Sequence, residues 1–510
     1  MTQSFQSVAL LVGSLIGVGG AAYALPPDIV GSDSVGNTAM GGSVLQSITT
    51  GGFNTGAGDE ALWLNNTGYS NTAVGFQALT LNTSGYGNTA IGYALWRNTV
   101  GNNNTATGTY SLLNNSTANN NTAIGAYSLV NNTTGEGNTA SGFNSLHNSG
   151  VANYNTATGM NALCGNSTGS YNTATGAFAL AGGDPQNVFP FPSCPASTGD
   201  GNTATGAQAL TSNTNGSENA ASGYQALYSN TDGNNNTASG VQSLYSNTNG
   251  DSNTASGHQA LYYNTSGYHD TAYGAHALLS NTTGNLNTAV GFDALYSNSN
   301  GSNNIALGMS AGYNLTTGSN NIDIGNEANA RESGIIRIGT AETQIAVYIA
   351  GIENAKVTGS AVYVTSKGQL GVLASSERYK TAIQPIGSHS EKLRQLRPVS
   401  FHLRSDPKGA VQYGLIAEEV ARVYPELVIR DEAGSIQGVR YDELAPMLLN
   451  EMQQQQIKLA EVDDLKQHIA TQDQRAAAQD AEISALKGQL AEMHAALIAL
   501  HSTGQLVAQR

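Results

Sequence analysis

The sequence predicts a mainly β protein. A parallel β-roll, or solenoid, of 17-residue repeats leads into a short β-stalk, then a small α+β domain, then a long coiled-coil helix. Three observations predict this. The unit N-T-A-x-G-x-x-A-L-x-x-N-T-x-G-x-x recurs from Asn37 to about Ala330. Charge is nearly absent from that array and concentrated after it. The final segment carries apolar residues at heptad spacing.

The repeat starts fall at 37, 54, 71, 88, 104, 121, 138, 155 and 172, and after an insertion at 202, 219, 236, 253, 270, 287, 304 and 321. A period this short cannot hold two helices, and Gly and Asn-Thr recur too often for a helix to survive. It signals stacked units, none of which buries its own apolar face. In N-T-A-x-G, period-two alternation puts Thr and the variable residue on one face and Ala and Gly on the other, packed face. The Leu eight residues after the Asn (Leu79, Leu129, Leu163, Leu227, Leu261, Leu295) is expected to stack into an apolar column. Asn recurs at both turns, where it tolerates left-handed backbone and can form amide ladders along the axis. Seventeen coils at ~4.8 Å spacing make a rod of roughly 80 Å. One coil buries little, so three chains packing apolar seams together would stabilise the roll; a monomeric solenoid is the alternative.

The insertion, about 181–201, carries Pro185, Pro190, Pro192 and Pro195, together with Cys194. The other cysteine, Cys164, follows Leu163 one coil below its base. In an exported protein a Cys164–Cys194 disulfide would staple the loop; two free or inter-chain thiols are the alternative.

Residues 8–24 form an unbroken apolar and small-residue run ending in Ala22-Tyr23-Ala24, an A-x-A-type site, with Pro26-Pro27 just beyond. This reads as an export signal over 1–24; an uncleaved anchor is the alternative, since the leader lacks Lys and Arg. The expected location is secreted or cell-surface, with no later membrane span. Only 11% of the chain is charged, and nineteen of its 20 Lys and Arg residues lie from Arg331 onward. An array so poor in cations argues against nucleic-acid binding. Its carboxylates are scattered and its histidines (His258, His269, His276) occupy variable positions, so no metal site and no cofactor are expected. Tyr228, Tyr245, Tyr262 and Tyr263 fit either packing or stacking on sugar rings.

After the array, Ile335-Ile336-Arg337-Ile338, Ala346-Val347-Tyr348-Ile349-Ala350 and Ala361-Val362-Tyr363-Val364 read as short β runs of a stalk, 331–374. A strand at Pro398-Val399-Ser400-Phe401-His402, a helix over 416–423, a turn at Pro425 and a long helix from about Asp442 follow. Val462, Ile469, Ala476, Ile483, Leu490 and Leu497 repeat every seven, with Leu465, Gln472, Gln479, Leu486, Met493 and Leu500 three residues after each. This is an a/d seam with a polar layer suited to fixing register, over 446–510.

Between stalk and helix, Ser375-Ser376-Glu377-Arg378-Tyr379-Lys380 sets a Ser and a Lys five apart, a candidate self-cleavage dyad. A Ser hydroxyl needs a base, and Lys serves only when neutral, as desolvation favours. This hexad is followed in order by Leu396-Arg397-Pro398-Val399-Ser400-Phe401, Tyr413-Gly414-Leu415-Ile416-Ala417-Glu418-Glu419-Val420, Tyr424-Pro425-Glu426-Leu427-Val428 and Gly438-Val439-Arg440-Tyr441. The series resembles the intramolecular chaperone domain of phage endosialidases and tail fibres, the S74 peptidase family, over about 375–470. The N-T-A repeats are more loosely similar to tail-fibre-like and trimeric-adhesin head proteins.

The resemblance implies a domain over 375–445 that trimerises the chain, assists folding of the β-stalk and releases itself. Ser375 would be the nucleophile, Lys380 the general base, and the cut adjacent to Ser375, at Ser375/Ser376. Where the family often has Asp after the nucleophile, this chain has Ser376; Arg378 matches a position of structural character. The expectation is an exported, homotrimeric fibre or adhesin-like protein, at the cell surface or part of a phage-like particle, with a cell-surface or glycan ligand, and at most a single-turnover endopeptidase with no external substrate. A tailspike-like glycan depolymerase would need a groove with paired acids, which the array lacks. A trimeric autotransporter would need a C-terminal membrane β-segment, and an ice-binding solenoid a more regular Thr face.

Overall fold

The computed structural model describes residues 31–183, 194–350, 361–365, 368–431 and 433–507. The expected export signal and Pro185, Pro190 and Pro192 lie outside them. The chain divides into two units at Tyr348/Ile349.

The first unit is the expected parallel solenoid. Seventeen three-residue strands, β2 (Thr38–Met40) through β18 (Ile322–Ile324), stack one per coil into a single sheet. A short antiparallel strand, β1 (Gly31–Ser32), precedes them, and β19 (Ile336–Ile338) follows in parallel register with β18. Ile335-Ile336-Arg337-Ile338 thus belongs to the rod rather than to a stalk. No strand forms at 346–350. The stack is unbroken at the insertion, because Thr173 pairs with Thr203.

The rest of each coil is turn, yet it is laddered too. Leu62 and Leu64 N–H donate to Ala78 and Thr80 of the next coil at 3.0 and 2.9 Å, while Gly75 N–H donates back to Ala57 at 2.7 Å. Each coil is therefore tied to both neighbours around its circumference, which satisfies the backbone of a narrow roll.

The core is a column of Ala and Leu. Ala73, Ala78 and Leu79 and their equivalents are fully buried in coil after coil. Two Asn ladders flank it: Asn71 Nδ2 donates to Asn54 Oδ1 at 3.0 Å and to the Gly85 carbonyl at 2.8 Å. Asn82 Nδ2 donates to Asn65 Oδ1 at 2.6 Å and to the same carbonyl at 2.9 Å. Asn71 and Asn82 are thus bonded to the coil before and to a turn carbonyl, so replacing either strands partners in its neighbours.

Left-handed backbone falls elsewhere than the composition suggests. The ladder Asn residues are not left-handed, but the buried Leu is, with φ of 55° at Leu79 and 51° at Leu227. That conformation costs roughly 1–2 kcal/mol, and burying the Leu side chain returns roughly 1.5–3 kcal/mol. Packing wins by a small margin, and the inter-coil hydrogen bonds hold the rest. The Gly of N-T-A-x-G is a corner residue rather than part of the packed face. Gly223 has φ +135°, and a Cβ there would sit 2.5 Å from the Gly240 carbonyl oxygen. Gly223→Ala is expected to destabilise the rod by about 2–4 kcal/mol, from strain plus backbone collision; urea unfolding followed by circular dichroism measures it.

At 270 the Asn ladder carries Asp. Asp270 is fully buried, and Oδ1 accepts from Asn287 N–H at 2.8 Å while Oδ2 accepts from Asn281 Nδ2 at 3.0 Å. Burial pushes its carboxyl up to about 7 against these lowering hydrogen bonds. The neutral form, which resembles Asn, is the one the fold prefers. An unfolded Asp ionises near pH 4, so the folded rod binds the extra proton between there and about pH 7. Stability falls across that window and is flat above it. Asp270→Asn is expected to remove this residue's share of the fall, most plainly between pH 6 and 8, and to gain up to about 4 kcal/mol at pH 8, read from unfolding midpoints at pH 4, 6 and 8.

The second unit starts with a hairpin, β20 (Tyr363–Val364) and β21 (Leu370–Gly371). Its body pairs β22 (Val399–Phe401) with β23 (Gln412–Gly414), and β24 (Val428–Arg430) with β25 (Ile436–Val439). Helix α1 (Ala417–Val423) and a 3-10 turn at Pro425–Leu427 lie between the hairpins, and α2 (Tyr441–Val507) completes the unit. Val420, Tyr424, Leu427, Val428, Val439 and Met447 form a small buried core. Tyr424 is its keystone: its hydroxyl donates to the His389 carbonyl at 2.8 Å. The base of α2 is tied down where Asn450 Nδ2 donates to the Gly387 carbonyl and to Ser390 Oγ, both at 2.7 Å.

Candidate functional site

Ser375 follows the β20–β21 hairpin, and Ser376 caps a single 3-10 turn, Glu377–Tyr379. Tyr379 N–H donates to the Ser376 carbonyl at 3.0 Å and Lys380 N–H to that of Glu377 at 2.9 Å. The turn carries the chain back on itself, so that Lys380 Nζ donates to Ser375 Oγ at 3.4 Å. The five-residue spacing thus brings the nucleophile and base candidates into contact through purely local structure. Both side chains are exposed. Arg378 lies over the Tyr379 ring at 5.0 Å, away from a catalytic position.

The downstream body carries its own ion pairs. Arg397 grips Glu419 through two nitrogens, at 2.7 and 3.2 Å, and holds that carboxyl below its ordinary range. This bidentate pair joins the segment before β22 to α1. His389 pairs with Glu426 at 2.8 Å.

In the rod, Cys164 and Cys194 are joined in a disulfide with a Cα–Cα distance of 5.7 Å. Beside it, Asn166 and Ser197 form a bridge that closes the base of the insertion. Tyr228, Tyr245 and Tyr262 stack on one another at 5.1 and 5.0 Å, within 4° of parallel. Their faces are spent on each other, which favours packing over sugar binding at that column. Tyr263 stands edge-on to Tyr262 and is half exposed. His258 and His269 are exposed, while His276 pairs with Asp293 at 3.1 Å. Among the described residues no cluster of His, Cys, Asp and Glu is placed to hold a metal.

Two buried acids escape a reading of the repeats alone, Asp270 in the ladder and Asp323 at the rod's end. Asp323 takes the inward Ala position and is paired in register with Arg337 on β19. Burial pushes its carboxyl up to about 6. Arg337 is held by Glu332 at 2.7 Å, which draws the Glu332 carboxyl down to about 2. The signal was present as a break in pattern, Ile322-Asp323-Ile324 in place of Thr-Ala-x.

Residues 375–429 match the family model of peptidase S74, described as chaperone of endosialidase. No curated protein matches the sequence.

Proposed function

We propose that this chain is a surface fibre of tail-fibre type, exported or carried on a phage-like particle, that folds as a homotrimer under its own C-terminal domain. That domain then releases itself by one cleavage adjacent to Ser375. The observation that carries the reading is the contact between Lys380 Nζ and Ser375 Oγ at the first residue of the peptidase S74 match.

In this scheme Lys380 takes the proton from Ser375 Oγ as the oxygen attacks an adjacent backbone carbonyl; the peptide C–N bond breaks, the leaving amine takes the proton from Lys380, and water hydrolyses the resulting ester to a carboxylate and the free Ser375 hydroxyl. Neutral lysine is the competent base, and burial favours the neutral form. Since both groups are exposed in one chain, association with further copies is the step that would desolvate them. Cleavage would then follow assembly and occur once per chain.

Two sets of uncovered apolar side chains support association. Ile345, Val347 and Tyr348 are each at least 75% exposed within four residues, a concentration of uncovered apolar surface that a partner would bury. Along α2, Ile469, Ile483, Leu486, Leu490 and Leu497 are exposed at heptad spacing, a seam that asks for partner helices. Mass spectrometry of the purified full chain tests the proposal: a new terminus adjacent to Ser375 is expected, and an intact chain in a stable trimer would reject the cleavage.

A further inference from the structure

The outer face of the rod's sheet is unlike every other face of the coil. From β2 to β19 the two outward positions of each strand hold only Thr, Ser, Ala, Ile, Leu, Val, Met or Tyr. Asp59, Glu60, Arg97, Glu136, Glu218 and Asp232 lie outside the strands, and the charges that do fall on strands, Asp323 and Arg337, take the inward position. Across the middle the outward pairs are small and hydroxylated, as in Thr205 and Ser222, and exposed. Towards the C-terminal end they become Ile and Leu: Ile305 and Leu307 are 44 and 48% exposed, Ile336 and Ile338 66 and 69%.

A parallel sheet ordinarily has both faces covered, because its strands are rich in β-branched residues on each side. Here one face rests on the Ala/Leu core and the other is bare. The cover must be long, straight and uncharged to match eighteen strands in register. From strand spacing and length, the face is about 85 Å by 10 Å, or ~850 Å² per copy. Two such faces together reach about 1,700 Å², the size of a standard stable interface.

We infer that this face, the outward Thr/x positions of the T-A-x strands, is where copies of the chain pack against one another along the rod. The small hydroxylated middle lets the sheets approach closely, and the Ile-rich end supplies most of the apolar burial. The charged turns then point outward and remain free for other contacts. This rests on the homo-oligomer proposed above and adds which surface forms it.

The test uses the full chain with Cys164–Cys194 intact. Ser222→Cys and, one coil on, Ser239→Cys place thiols on the face; Asn249→Cys places one on an exposed turn. Each is treated with a short bis-maleimide and run on a denaturing gel, with light scattering in parallel. The face variants are expected to give covalent oligomers at least tenfold more than Asn249→Cys, unchanged on tenfold dilution. An oligomeric chain in which the face variants crosslink no more than the turn variant overturns this interface and leaves the assembly reading standing. A chain that is monomeric by light scattering overturns both.

Discussion

Ser375→Ala and Lys380→Ala are each expected to leave the chain as one polypeptide running from rod to C-terminal helix, with cleavage reduced by at least 10³-fold, the scale set by losing the nucleophile or its base. Neither change should unfold the domain. Both side chains are exposed, and their one contact with each other is a long hydrogen bond of 3.4 Å. An exposed bond of this kind contributes little to stability. The diagnostic result is therefore an intact chain that is still assembled. Lys380→Arg should behave like Lys380→Ala, because a guanidinium does not give up its proton at working pH. Gel densitometry over days checks all three, and continued cutting of either alanine variant would remove the dyad from the account.

Paired lysines in the helical seam, Ile483→Lys with Leu490→Lys, are expected to have the second large effect. In a three-stranded bundle each copy loses two buried apolar contacts and gains two like charges on the axis. At about 2–5 kcal/mol per large-to-small core loss, before repulsion is counted, assembly through α2 should fail. Light scattering is expected to shift from oligomer to monomer. If cleavage follows assembly, the same variant should be cut at least tenfold more slowly. Retained assembly with unaltered cutting would separate α2 from both functions. The comparison with Ser375→Ala is informative because one variant loses chemistry and keeps assembly, while the other loses assembly with its dyad intact.

Much of this was legible in the residues because it is local or periodic. The 17-residue period marked each coil, and the inward Ala and Leu columns followed from alternation. The Ser375–Lys380 contact was legible because one 3-10 turn suffices to bring the two side chains together. The helix bounds near 417 and 441 followed from apolar spacing. What escaped depends on neighbours along the axis. Nothing in a single repeat says that Leu79 must be left-handed or that Gly223 faces the backbone of the next coil. Those constraints appear only when coils stack. The last coil was hidden because Asp323 and Arg337 replace the inward Ala, so Ile336–Ile338 read as stalk. Asp270 was hidden by its likeness to Asn, and only burial of the ladder makes the exchange matter.

The most direct test of the central claim is intact-mass analysis of the purified full-length product, combined with native mass measurement of its N-terminal piece. The account predicts two polypeptides whose termini meet adjacent to Ser375, at Ser375/Ser376, with the rod-bearing piece trimeric. A single uncut chain, a cut elsewhere, or a monomeric rod would contradict it.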